Sequence, residues 1–293
     1  MQMQIQVQVP RRSAQTNIRG VEVNQMDETF SYNQKAPLNQ EEYGIEYRNG
    51  IYVHDISYAC LKGGRIIAYL VAPPGNGPFA GVIFLHPGPG SRSSFLDEAV
   101  TLAKANAICL LIDAPWANGP EFGKRASGRP EDVRDWFIEI ARDLRRAIDL
   151  ISSLPNVDIN RIAYVGHSLG ALFGGILSGV DKRIKAGVLM AGVGSFTDVA
   201  QLNMPTLAGG ELEKYKTIME PIDPVRHIKN AAPSALLFQF GLQDVFFPEE
   251  KFLDYYDAGS VPKSIRWYNA DHYRLNEVGR SDRIEWLKEC FQL

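Results

Sequence analysis

The chain opens on a strict alternation, Met1-Gln2-Met3-Gln4-Ile5-Gln6-Val7-Gln8-Val9, the spacing of a strand with one apolar face. Pro10-Arg11-Arg12 and a polar stretch to about residue 26 follow. Residues 1–44 are therefore expected to form a tail and extension outside the main fold. An apolar strand face with nothing over it is sticky. The tail is expected to pair with a sheet edge or with another chain, and is the route by which a homo-oligomer would form.

From about residue 51 the pattern becomes an alternation of strands and helices. Segments 51–58 and 65–71, separated by Lys62-Gly63-Gly64, predict an antiparallel hairpin. Continuous apolar runs at 80–85, 107–112, 161–165, 185–191, 235–240 and 264–268 predict buried strands. Residues 131–153 place Val133, Trp136, Phe137, Ile140, Leu144, Ile148 and Ile151 at helical spacing, and 282–290 suit a closing helix. Strands apolar on both faces, alternating with helices, imply a parallel sheet covered on both sides. The expected class is α/β, with residues 45–293 as one domain.

Composition narrows this picture. At 293 residues and 45% hydrophobic content the chain can bury a large core as one unit. The net charge of −3, from 31 basic and 34 acidic residues well mixed along the chain, is unlike the basic footprint of a nucleic-acid binder. No apolar run approaches a membrane span, and the N-terminus carries no signal-peptide hydrophobic region, so a cytoplasmic protein without a membrane partner is expected. Cys60, Cys109 and Cys290 are far apart and odd in number, which offers neither a disulfide framework nor a metal-ligand pair. Cys109 lies within an apolar run and reads as a buried thiol. No metal and no cofactor are expected.

The chemistry concentrates after the run Arg161-Ile162-Ala163-Tyr164-Val165, where Gly166-His167-Ser168-Leu169-Gly170 leads into the apolar stretch 171–177. Strand, sharp turn, helix: this is a nucleophile elbow, with the Ser168 hydroxyl raised above the sheet and glycines where a Cβ would collide with its neighbours. A serine needs a base to take its proton, and the base needs a third group to orient it. In such a site the partners follow in the order Ser, Asp or Glu, His, each beyond a strand's C-terminal end. Asp244 follows the 235–240 strand and His272 follows the 264–268 strand. Of the remaining histidines, His54 lies in the hairpin, His86 ends a strand before the serine, His167 points away from the neighbouring hydroxyl, and His227 sits in a short helix. For the carboxylate, Asp271 is too close to His272 to turn back on its ring, and Asp223 precedes a helix it would cap. An oxyanion needs two backbone N–H donors. Leu169, directly after the nucleophile, is one. The loop His86-Pro87-Gly88-Pro89-Gly90 supplies the other through Gly88, with Gly90 a weaker candidate, because prolines cannot donate.

Taken together, His86-Pro87-Gly88-Pro89-Gly90, Gly166-His167-Ser168-Leu169-Gly170, Gly241-Leu242-Gln243-Asp244 and Asp271-His272 resemble the α/β-hydrolase superfamily. Within it the chain is similar to the dienelactone-hydrolase and prolyl-oligopeptidase-like (acetyl-xylan-esterase-like) branch, without a propeller domain. The resemblance runs from about residue 45 to the C-terminus, with Pro87 a departure where the family often has glycine. It implies an α/β-hydrolase fold: a mostly parallel sheet, helices on both faces and an antiparallel N-terminal hairpin. It also implies a substrate site above the C-terminal strand ends. There the stretch 192–221, with Phe196, Met204, Tyr215 and Met219, reads equally as a small lid or as a packed surface excursion. Trp116, Phe246 and Phe247 are candidate pocket walls. Arg92 reads as a solvated arginine or as the partner of an anionic substrate group. The expected activity is hydrolysis of a small-molecule carboxylic ester through Ser168, Asp244 and His272. An amide, short peptide or lactone could use the same groups, and a non-catalytic binding protein on this fold is the reading from another class.

Overall fold

The computed structural model describes residues 26–117 and 125–293. The alternating segment 1–9 lies outside the described residues. The strands are β1 (Glu41–Arg48), β2 (Ile51–Ala59), β3 (Arg65–Ala72), β4 (Phe79–Leu85), β5 (Ala107–Ile112), β6 (Val157–His167), β7 (Ile184–Met190), β8 (Ala235–Gly241) and β9 (Lys263–Tyr268). They form one sheet in the order β1-β2-β3-β5-β4-β6-β7-β8-β9. The β1-β2-β3-β5 part is antiparallel, and β5-β4-β6-β7-β8-β9 is parallel.

Strand alternation explains why the central runs are apolar throughout. Val82 and Phe84 of β4 face one cluster, with Cys109 and Leu111 of β5 and Ala163 and Val165 of β6. Helices α1 (Leu96–Lys104) and α9 (Arg280–Phe291) cover that face through Ala99, Val100, Ile284 and Leu287. Ile83, Leu85, Leu110, Ile112, Ile162 and Tyr164 point the other way, under α2 (Pro130–Ser153) and α3 (Leu169–Val180). Every central strand is thus buried on both faces, which is what a parallel sheet requires. Between β7 and β8 run α4 (Phe196–Asn203), α5 (Gly209–Met219) and α6 (Pro224–Ile228); α7 (Glu249–Ala258) precedes β9, and α8 (Leu275–Val278) precedes α9. In the stretch 192–221 Phe196, Tyr215 and Met219 are buried, and the Phe196 ring meets Phe137 of α2 at 4.6 Å and Phe173 of α3 at 5.5 Å. No helix among the described residues is long and apolar enough to cross a membrane.

Strand β1 runs across residues 44 and 45, where the tail was expected to give way to the domain. The fold begins earlier still. Phe30 is fully buried, its ring edge-on to His227 at 5.1 Å. Residues 29–37 lie along α2, where three arginines donate to the strap's carbonyls: Arg142 to Thr29, Arg145 to Phe30, and Arg146 to Ala36 and Pro37. A strap without regular structure still needs its buried carbonyls satisfied, and the long α2 side chains do that. The sequence signal for β1 was present in Tyr43, Ile45 and Tyr47 at period two, although all three remain exposed.

Candidate active site

Parallel strands β4 and β6 are neighbours, with Leu85 in register with Gly166. The loop that begins at His86 and the turn at Ser168 therefore leave the sheet side by side at its carboxyl edge, where the winding of an open α/β sheet reverses and ligands bind. Ser168 sits at φ +54° and ψ −118°, directly before α3. Such a backbone is costly for a residue with a Cβ and persists only when its surroundings fix it. The flanking glycines are part of that fixing. A Cβ on Gly166 would run into the Gly170 carbonyl, and one on Gly170 into the Leu85 carbonyl, both well inside contact distance. The Ser168 N–H donates to Met190 O at 2.8 Å, which ties the turn to β7.

Asp244 and His272, on the turns after β8 and β9, meet: His272 Nδ1 lies 2.6 Å from Asp244 Oδ2. The other carboxylate oxygen accepts the backbone N–H groups of Phe246 (2.9 Å) and Phe247 (3.4 Å), which fixes the plane of the acid. With Nδ1–H given to the carboxylate, Nε2 is left as the acceptor that a base requires. Both side chains are nearly sealed, at 6% and 1% exposure. The competing carboxylates are occupied elsewhere. Asp271 accepts the N–H groups of Tyr273 and Arg274. Asp223 accepts the Phe196 N–H and the Ser195 hydroxyl, so it caps α4 rather than the helix it precedes. Burial pushes the Asp223 carboxyl up to about 7.

His167 turns toward the loop that carries His272. Its Nε2–H donates to the His272 carbonyl at 2.8 Å, and the two rings are 5.4 Å apart. The residue before the elbow serine thus holds the loop that carries His272, a contact sequence reasoning missed because it spans 105 residues. Burial first, and then the neighbouring His272, press the His167 imidazole down to about 3, so it stays neutral at ordinary pH.

The Gly88 side of the site is built as tightly. His86 Nδ1–H donates to Pro87 O at 2.7 Å, and its Nε2 accepts the Ala114 N–H at 3.1 Å. Burial lowers the His86 pKa, which suits a ring that must accept at one nitrogen. Trp116 Nε1–H donates to the same Pro87 carbonyl at 3.1 Å, and its ring stacks on Phe173. Proline at 87 removes a donor, yet its carbonyl anchors two side chains. A Cβ on Gly88 would lie 3.1 Å from Leu169 Cδ1 and 3.4 Å from Trp116 Cδ1, so the two candidate oxyanion residues are packed together. Leu169 is the first residue of α3, and its N–H has no carbonyl one turn back to receive it.

The candidate pocket residues divide. Phe246 is half-buried with its ring 4.7 Å from that of His272. Phe247 is buried and turns to Phe252 behind the site. Trp116, only 4% exposed, braces the Gly88 loop from within. Arg92 is neither a solvated arginine nor a free one. Its guanidinium pairs with Asp55 at 2.6 Å and Asp113 at 3.4 Å and lies 3.9 Å over the Tyr69 ring. Three neighbours already satisfy that charge. Cys109 is buried as expected, with its thiol pKa raised by burial. A cavity of about 420 Å³ lies against β3 and β5, lined by Ile66, Ile112, Ala114, Ile140 and Asp143, two strands over from the elbow.

A serine elbow after β6, an acid–imidazole pair after β8 and β9 and a glycine–proline loop after β4 define the plan of one protein class, and the sequence matches it. Residues 82–281 fit the model of the Alpha/beta hydrolase family, and the chain belongs to that family. Among solved structures it is similar to acetyl xylan esterase 1 from Thermoanaerobacterium sp. JW/SL YS485, at 17% identity and a TM-score of 0.74, covering 91% of this chain and 92% of that one. It is also similar to an acetyl xylan esterase from Paenibacillus sp. R4, at 18% identity and a TM-score of 0.72, covering 90% and 92%. A cold-adapted esterase from an Arctic intertidal metagenomic library aligns at 14% identity and a TM-score of 0.62, covering 85% and 98%. Among curated protein sequences, none matches the chain.

Proposed function

We propose that the protein is a serine hydrolase that cleaves a small-molecule carboxylic ester through an acyl-enzyme. The observation that carries this reading is the 2.6 Å contact between His272 Nδ1 and Asp244, on the two strand ends that follow the strained Ser168 turn. Likeness to folds described as acetyl xylan esterases and an esterase supports ester rather than other acyl chemistry.

Ser168 Oγ attacks the ester carbonyl carbon while His272 Nε2 takes the hydroxyl proton. Asp244 keeps the imidazole in the Nδ1–H tautomer and stabilises its cation. The oxyanion is received by the N–H groups of Gly88 and Leu169, fixed before the reaction by the packing around them. Collapse of the tetrahedral adduct breaks the bond to the alcohol oxygen, which leaves with the proton from His272. Water, deprotonated by the same ring, then releases the acid and restores Ser168.

Two measurements test the reading. Ser168→Ala should abolish turnover of nitrophenyl esters and leave the melting temperature within a few degrees of wild type. A fluorophosphonate should label Ser168 in the wild-type protein. Ester hydrolysis at the wild-type rate in Ser168→Ala would overturn the assignment, and a wild-type Ser168 inert to the probe would restore the binding-protein reading. Amides and lactones beside the esters would show which acyl bond is preferred.

A further inference from the structure

The turn between β8 and α7 has an unusual surface. Asp244 points inward to His272, but Leu242 and Val245 on either side are 63% and 87% exposed. Tyr273, next to His272 in the chain, is 52% exposed. The rings form one cluster: Phe246 lies 4.7 Å from His272 and 5.8 Å from Tyr273, and Tyr273 lies 5.5 Å from His272. Two rings gathered beside this imidazole, one of them half exposed, offer apolar surface to a group that reaches it.

Its position says which half of the substrate it meets. In ester cleavage the imidazole gives its proton to the departing alcohol oxygen, so that oxygen comes within hydrogen-bond reach of His272 Nε2. Groups bonded to that oxygen then lie beside the side chains that flank the imidazole. The acyl carbonyl points the other way, toward Gly88 and Leu169. Phe246 and Tyr273 therefore border the alcohol half. Of the two rings that flank the imidazole, only the Tyr273 hydroxyl can hydrogen-bond. A polyol would leave hydroxyls without partners against the faces of these two rings, whereas an aryl or hydrocarbon group would bury apolar surface on them.

We infer that the alcohol half of the substrate is aromatic or otherwise apolar and is received by Phe246 and Tyr273, an inference that rests on the esterase reading of the same site. Benzyl, ethyl and 2-methoxyethyl acetate test it, because their alcohols are of similar acidity and differ in apolar surface. Removing roughly 55 Å² of ring from water corresponds to about a tenfold gain. The wild-type kcat/KM should thus be about tenfold higher for the benzyl than for the ethyl ester, with the 2-methoxyethyl ester no better than the ethyl. Tyr273→Ala should bring the benzyl-to-ethyl ratio down toward one, and Tyr273→Phe, which keeps the ring, should preserve it. The ratio of methyl acetate to methyl butyrate reads the acyl side and should be the same in both variants. A benzyl-to-ethyl ratio near one in the wild type, a lead for the 2-methoxyethyl ester, or a ratio that Tyr273→Ala does not move would overturn the inference and leave the esterase reading standing. If the wild type cleaves none of these esters and Ser168 resists a fluorophosphonate, the esterase reading fails and the inference falls with it.

Discussion

Asp244→Asn isolates one link of the site, because the structure dictates how the amide must sit. Asp244 Oδ1 accepts two backbone N–H groups, from Phe246 and Phe247, and Oδ2 faces His272 Nδ1. An asparagine keeps the two backbone donors satisfied only with its carbonyl oxygen at the Oδ1 position. Its NH₂ then faces His272, and Nδ1 must accept instead of donate. The imidazole proton moves to Nε2, the nitrogen that should take the proton from Ser168. The turn is preserved while the base is held in the wrong tautomer. For such an arrangement the expected loss in kcat/KM is on the order of 10⁴-fold, or about 5.5 kcal/mol of transition-state stabilisation. Steady-state hydrolysis of a nitrophenyl ester gives the number, and the rate of fluorophosphonate labelling should fall in parallel. A thermal melt within a few degrees of wild type would establish that the fold survives. A loss smaller than about tenfold in a folded variant would refute the argument, since His272 would then be oriented by something other than Asp244.

Two further outcomes concern stability. His167 titrates at about 3 when folded, against 6.5 for an ordinary histidine, so on acidification the unfolded chain takes up the proton first. Its contribution is complete above pH 6.5 and declines from there toward pH 3, amounting to about 2 kcal/mol lost by pH 5. His167→Gln should therefore lose less of its urea-unfolding free energy than wild type between pH 8 and pH 5; equal losses would remove His167 as the cause. Arg283 and Glu98 form an ion pair at 0% and 1% exposure that joins α9 to α1, with Asn276 as a further partner of the guanidinium. Arg283→Met strands a buried carboxylate and should cost about 3–5 kcal/mol in urea unfolding, much of it recovered in the double variant with Glu98→Met. A single-variant loss under about 1 kcal/mol would contradict this.

What the chain makes legible is what depends on local pattern. The hairpin, the central strands and the long helix ending at Ser153 lie within a few residues of where periodicity puts them. The strands were readable because both of their faces are buried, so the apolar run is unbroken. Strand β1 was overlooked at its start because an edge strand open on both faces selects few apolar residues, and its Tyr43, Ile45 and Tyr47 stay exposed. The strap at residues 29–37 has no periodicity at all. Its fixed points are backbone carbonyls, which every residue carries, held by Arg142, Arg145 and Arg146 more than a hundred positions away. Arg92 was legible as a charge but not as a satisfied one, since Asp55 lies 37 positions from it and Asp113 lies 21.

The same division runs through the site. Sequence determined the elbow at Ser168, because strand, glycines and helix are contiguous and their steric demands are local. It also determined the order of Asp244 and His272, because each follows a buried strand. Only the tertiary structure decided that the two meet at 2.6 Å, that Asp223 caps α4, and that His167 holds the loop of His272. It alone gathered Phe246 and Tyr273 around the imidazole. Periodicity and turn chemistry are properties of neighbouring residues. The partner of a charge, a ring or a carbonyl is fixed by how the sheet brings distant strand ends together.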